Sequence, residues 1–263
     1  MVDITVSDGR VAVDGHDTVP KLFRDRVARW GDRIAMREKD LGIWQAYSWN
    51  DYDHHARRIA AGLIATGFSR GDVAGILSET NKEWVFTDTG VMLAGGVVNG
   101  VYPTYRPGQL EFTLTDSSAS VLFVENEEQL DKYLEVRDAL PKIRQVYVFD
   151  WKGLRGFKDP KVQPLSALYD AGAAALQATA SELEERIEAG KGSDLAVLIY
   201  TSGTTGKPKG ACVSNNYLLF QMGMAPDPLP ITADDEVLTY LPLCHAAERM
   251  ISLCISLGHG QVL

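Results

Sequence analysis

From Asp72 onward, short apolar runs alternate with stretches whose apolar residues recur at helical spacing. That order predicts an α/β fold, mostly parallel strands joined by crossover helices. DVAGILS reads as a strand, and Asn81 as the cap of a helix carrying Trp84, Val85, Thr89 and Met92. VVNGVYP follows, then a short helix from Pro107, a buried strand in ASVLFVE, a helix in EEQLDKYLEVRDAL and a strand in RQVYVFD. Upstream, Thr18 to Trp30 and Trp49 to Thr66 have helical periodicity, the second with Ser48 and Asp51 in capping-box spacing and Gly67 at its end. Between them IAMREKD and GIWQAYS read as a strand pair turning at Asp40 and Gly42. Residues 151 to 193 are poorer in β-branched residues and predict a surface excursion with helices over Leu165 to Ala174 and Ser181 to Ala189. The closing HGQVL reads as lying in or just after a strand, an ending that predicts a truncated chain.

Composition narrows the function classes. With 45% hydrophobic residues over 263 positions, the chain has enough apolar material for a sizeable core. The net charge of -9 and the scattered basic residues leave no footprint for a polyanion, so nucleic acid is not expected as a partner. No apolar run approaches the ~18 residues a membrane span needs, and the N-terminus lacks a secretory pattern. Cytoplasmic residence is the expectation, with peripheral membrane contact left open and the oligomeric state unreadable. Cys212, Cys244 and Cys254 have neither disulfide-framework nor zinc spacing and predict buried free thiols.

The chemistry concentrates in one place. The apolar strand Leu195 to Tyr200 runs directly into Thr201, Ser202, Gly203, Thr204, Thr205, Gly206, Lys207, Pro208, Lys209 and Gly210. Gly203 and Gly206 permit positive φ and close backbone approach, so successive amides can curl into an anion nest. Hydroxyls of Thr201, Ser202, Thr204 and Thr205 add donors, and Lys207 and Lys209 add positive charge. A solvated polar linker has the same composition. A buried strand delivering its carboxyl end into the loop favours a ligand site. The segment is not a Walker A loop, because Thr201 and Pro208 stand where glycine and a hydroxyl are required. No G-x-G-x-x-G follows a strand, so a dinucleotide fold has no support.

YTSGTTGKPKG resembles the signature loop of the adenylate-forming superfamily, which includes acyl-CoA synthetases, luciferases and peptide-synthetase adenylation domains. Tyr240 to Arg249, YLPLCHAAER, is similar to the family segment where a strand ends in proline and a histidine begins the next helix. In the long-chain fatty acyl-CoA synthetase branch that segment reads like L-P-L-x-H-x-x-E-R, which favours a fatty substrate.

The resemblance implies an AMP-forming long-chain fatty acid–CoA ligase, present here only as a fragment. ATP and the acid yield an acyl-adenylate, and coenzyme A then displaces AMP, with Mg2+ and fixed donors neutralising the phosphates. By resemblance, Ser202, Gly203, Thr204, Thr205 and Gly206 take the β- and γ-phosphates, Thr201 approaches the magnesium, and Lys209 neutralises charge. Lys207 is equally an exposed loop lysine. His245 is the catalytic candidate, facing acid and ATP, with a structural histidine as its alternative. Glu248 and Arg249 could orient groups there, but an ordinary ion pair or solvent contact, of the kind seen at surfaces, is the expectation. Trp84, Phe86, Met92 and Tyr102 border an acyl tunnel or pack in the core. Asn215 stands where many relatives have histidine. The resemblance also implies two interleaved α/β subdomains, residues 72 to 228 in the first and residues 10 to 70 with 234 to 263 in an unfinished second, and no C-terminal domain. Adenylation of an aryl or amino acid, or a non-catalytic nucleotide-binding module, remains an alternative.

Overall fold

The computed structural model of the chain describes residues 2–201, 208–223 and 231–263. It opens on a hairpin, β1 (Ile4–Ser7) and β2 (Arg10–Val13), followed by helix α1 (Val19–Trp30). Thr18 caps α1, accepting from the Lys21 amide, and Pro20 occupies the first turn, where a missing N–H costs nothing. A second hairpin, β3 (Ile34–Asp40) and β4 (Ile43–Ser48), leads into α2 (Trp49–Ala65). The expected capping box is present: Ser48 accepts from the Asp51 amide while Asp51 accepts from the Ser48 amide.

The core element is a seven-stranded sheet. Its strands are β5 (Val73–Leu77), β6 (Val97–Val101), β7 (Ala119–Val124), β8 (Gln145–Val148), β9 (Val162–Pro164), β10 (Leu195–Thr201) and β11 (Lys209–Ser214), in the order β11-β10-β6-β5-β7-β8-β9. All neighbours are parallel except β10 and β11. The crossovers are α3 (Lys82–Leu93), α4 (Pro107–Asp116), α5 (Glu127–Val136) and α6 (Leu165–Glu188).

Side chains alternate across this sheet between two apolar cores. Ala74, Ile76, Val121, Phe123, Val197 and Ile199 face α1, α2, α3 and α6. Val73, Leu77, Leu122, Val124, Leu198 and Tyr200 face α4 and α5. Burial on both faces explains why these strands read as continuous apolar runs. On the first face α2 is wedged between α3 and α6. Two glycines permit this: a Cβ at Gly90 would sit 2.7 Å from Ile59 Cβ, and one at Gly172 would sit 1.9 Å from the Arg58 carbonyl oxygen.

Residues 151 to 193 differ from the sequence expectation. Instead of a surface excursion with two helices they supply the edge strand β9 and one continuous 24-residue helix, α6. The stretch between the expected helices, ALQATA, contains no breaker, and Leu165, Leu168, Leu183 and Ile187 are buried against the core. The cysteine expectation also needs correction: Cys244 and Cys254 are buried, whereas Cys212 on β11 is exposed.

The last described segment follows α7 (Asn215–Gly223). Ala246–Glu248 forms α8, the chain widens into a π-helical stretch over Arg249–Cys254, and α9 (Ile255–His259) ends at Gly260 with φ of 83°. Buried Arg26 of α1 holds this end, its guanidinium donating to the carbonyls of Leu257 and Gly258. Beyond it, Leu263 donates to Ala35 O and accepts from Arg37 N, adding a short pairing beside β3.

Candidate functional site

Of the catalytic and binding candidates singled out in the sequence, Thr201, Lys209 and His245 are described, and the first two pair at the carboxyl edge of the sheet. β10 ends at Thr201, whose register partner across the antiparallel pair is Lys209, and both side chains are exposed. The hydroxyl and the ammonium therefore flank the mouth of the connection between the two strands. Ser202, Gly203, Thr204, Thr205, Gly206 and Lys207 lie outside the described residues.

One residue earlier, Tyr200 is 1% exposed, and its hydroxyl donates to Asp116 Oδ2 at 2.7 Å. Burial, then the bond to Asp116, pushes its phenol above the ordinary range, so Tyr200 is an anchor and not a proton donor for chemistry. Its ring lies across its register partner Gly210, where a Cβ would stand 3.0 Å from Cζ. That contact gives the motif's last glycine a packing reason.

The segment ending in His245 lies over the neighbouring strand. Gly100 of β6 pairs in register with Ile199 of β10, two residues before Thr201. A Cβ at Gly100 would come 2.9 Å from Cys244 Cα, so the absence of a side chain lets the overlying peptide settle onto β6. Thr80 Oγ1 donates to Leu241 O at 2.7 Å and ties the same peptide to the end of β5. His245 itself is exposed and caps α8, its Nδ1 accepting from the Ala247 amide at 3.1 Å. Its ring stands edge-on to Tyr102, centroids 6.4 Å apart. Burial pushes the Tyr102 phenol up to about 12 and the Cys244 thiol up to about 12. A protonated, buried thiol is no nucleophile, so Cys244 serves packing.

Glu248 and Arg249 are not a surface pair. They are 4% and 2% exposed, and Arg249 Nη2 donates to Asp88 Oδ1 at 2.5 Å while Glu248 Oε1 accepts from Ser252. The correction comes from α3, where Asp88 interrupts a buried helix face as a charge that needs a partner. Burial outweighs the attraction of Arg249 and holds the Asp88 carboxyl above the usual carboxylate range. Trp84, Phe86 and Met92 are core residues at 0%, 1% and 7% exposure, while Tyr102 remains half-buried at the edge. Asn215 is structural: Oδ1 accepts from the Val19 amide and Nδ2 donates to Asp194 O.

A cavity of about 740 Å³ lies between the β3–β4 hairpin and residues 236 to 243, lined in part by Met36, Trp44, Val85, Leu238, Leu243 and Leu263. Sequence reasoning missed it, because its walls come from segments far apart in the chain. Lys82 also lines it. Burial opposes the Lys82 charge, but bonds to Glu38 and Glu83 outweigh that and raise its pKa, so the ammonium is already engaged.

A mostly parallel sheet whose β10 ends at Thr201, with the peptide bearing His245 laid over the neighbouring β6, is an open α/β arrangement of the kind in which ligands sit at the carboxyl ends of the strands. Residues 23–263 match the AMP-binding enzyme family, and the chain belongs to that family. It is 30% identical over 263 residues to long-chain-fatty-acid–CoA ligase ACSBG2 of Xenopus laevis, spanning 98% of this chain and 35% of that protein. It is 31% identical to the Homo sapiens ACSBG2 ligase over 98% of this chain and 40% of the relative. The chain thus spans about two fifths or less of these relatives' length. Among solved structures, the long-chain-fatty-acid–CoA ligase FadD1 of Archaeoglobus fulgidus superposes with a TM-score of 0.73 at 17% identity, covering 93% of this chain and 46% of that one. The anthranilate–CoA ligase AuaEII, bound to anthranoyl-AMP, superposes with a TM-score of 0.75 at 19% identity, covering 94% and 44%. These two likenesses concern the fold. Among the described residues, no helix is long and apolar enough to cross a membrane.

Proposed function

We propose that this chain carries the ATP-handling part of a long-chain fatty acid–CoA ligase, which activates the acid as its adenylate before coenzyme A displaces AMP. The observation that carries the reading is the juxtaposition at the sheet edge. Thr201 and Lys209 flank the loop at the end of β10, and the peptide bearing His245 rests on β6, the strand beside it. Residues 202 to 206 take the β- and γ-phosphates through backbone amides, Lys209 offsets their charge, and His245 meets the acid or the α-phosphate. On the same reading, residues 72 to 228 form the first subdomain, and residues 10 to 70 with 234 to 263 contribute to a second.

Thr201 suits a magnesium ion that arrives with the triphosphate. Its exposed hydroxyl is one hard oxygen, and among the described residues no three carboxylates, imidazoles or thiols gather into a cage. Magnesium is commonly held by one or two protein oxygens plus substrate phosphates and water. The fatty substrate class rests on the LPLCHAAER segment and on the names of the curated relatives.

The test is ATP–pyrophosphate exchange across a panel of fatty, aryl and amino acids, run on any longer polypeptide that carries this chain. Exchange stimulated by long-chain acids is expected. Stimulation by aryl or amino acids alone would reassign the substrate class, and no acid-dependent exchange in any form would end the enzymatic reading.

A further inference from the structure

The turn that begins at His245 ends on a buried contact that the sequence did not reveal. We propose that Arg249, anchored on Asp88, is a positioning residue: it fixes the first turn of α8 so that the neutral His245 ring carries its proton on Nε2 and offers that N–H as a donor. The inference rests on the reading of His245 as the group that meets acid or phosphate.

The tautomer follows from the capping bond. His245 Nδ1 accepts from the Ala247 amide at 3.1 Å. A nitrogen that accepts an N–H must hold a lone pair, so in the neutral imidazole the proton resides on Nε2. The exposed ring thus presents a donor, suited to a carboxylate or phosphate oxygen, and not a base.

The capping bond opens a turn whose far end carries Arg249. The Arg249 amide donates to His245 O at 3.1 Å, so the two residues close one turn. The Arg249 and Asp88 side chains are 3% and 4% exposed, their contact is 2.5 Å, and the guanidinium carbon lies 5.4 Å from the Trp84 ring centroid. Nη1 of Arg249 is buried with no hydrogen-bond partner, which leaves Asp88 as the directional tether of the group. The π-helical winding begins at this same residue, a rare geometry that re-aims the side chains around it. A buried charge pair of this kind adds little net stability, but it specifies one arrangement of two helices.

The experiment is nitrogen NMR of the chain labelled in its histidine rings, with His245 assigned by His245→Gln, at about pH 8.5 where an ordinary imidazole is neutral. The expected spectrum shows Nδ1 unprotonated and Nε2 protonated. Asp88→Asn is expected to collapse that pattern toward a tautomer mixture while the chain remains folded by circular dichroism. If Asp88→Asn fails to fold, the double variant Asp88→Leu/Arg249→Met, which removes both charges together, carries the same expectation. A wild-type ring protonated on Nδ1, or an unchanged Nε2–H pattern in a folded variant, would overturn the proposal. In an active polypeptide, Asp88→Asn is expected to lower kcat on the order of tenfold while the KM for ATP stays within about twofold. An equal loss of both would assign the pair to ordinary folding. The NMR result is independent of catalysis, so absence of acid-dependent exchange would end the adenylation reading without touching the tautomer.

Discussion

The sheet's carboxyl edge and the peptide laid over it are built on opposite terms. β5 and β6 are buried along their whole length, and Trp84 beneath the site is 0% exposed. Above them, Leu238 and Tyr240 are each 74% exposed and Leu241 is 39% exposed. The overlying peptide is held at separate points: Thr80 on Leu241, Gly100 under Cys244, and Asp88 on Arg249. The difference teaches that the exposed half of the segment, Leu238 to Leu241, relies on tethers, while Leu243 and Cys244, 1% and 3% exposed, fix its His245 end onto the floor.

That comparison can be broken most forcefully at Trp84. Trp84→Ala empties the floor under both Gly100 and Arg249, and urea denaturation is expected to show a loss of about 3–5 kcal/mol. A loss below about 1 kcal/mol would mean that the floor does not set the site. A smaller effect is expected far from the site, at the α2 cap. Ser48→Ala should cost about 1 kcal/mol near neutral pH. Bonds from the Ser48 hydroxyl and amide hold the Asp51 carboxyl below its ordinary value. A lowered carboxyl stabilises the fold above the unfolded-state value of about 3.9 and loses that contribution as pH falls through its folded value. The difference between wild type and Ser48→Ala should therefore shrink on acidification below that point, read by thermal unfolding across a pH series. The smallest effect belongs to the overlying peptide: Tyr240→Ser should change stability by no more than about 0.5 kcal/mol. A larger loss would show that this exposed ring is packed in solution and would erase the contrast.

The elements on the floor were legible because burial and periodicity agree there. Asn81 and Ser48 each cap the helix expected of them, and β5, β6, β7 and β8 fall on the apolar runs. The N-terminal hairpin escaped notice although Asp8 and Gly9 both adopt positive φ, the turn chemistry that Asp-Gly encodes, because its strands are only four residues each. α6 reads as two helices in the sequence because no residue between Gly172 and Leu183 is buried, so its middle gives no apolar rhythm. Thr201, Lys209 and His245 stand out as candidates because hydroxyls, lysine and histidine are conspicuous after apolar strands. The Asp88–Arg249 tether joins residues 161 positions apart. The one local signal was an aspartate inside WVFTDTGVML, a charge set among residues that are all buried.

Hydrogen exchange of the backbone amides between Tyr200 and Gly210, with and without ATP and magnesium, tests the central claim most directly. Nucleotide held by this loop slows exchange at residues 202 to 206 and leaves Leu238 to Leu241 unchanged. Nucleotide binding with protection confined to any other part of the chain would contradict it.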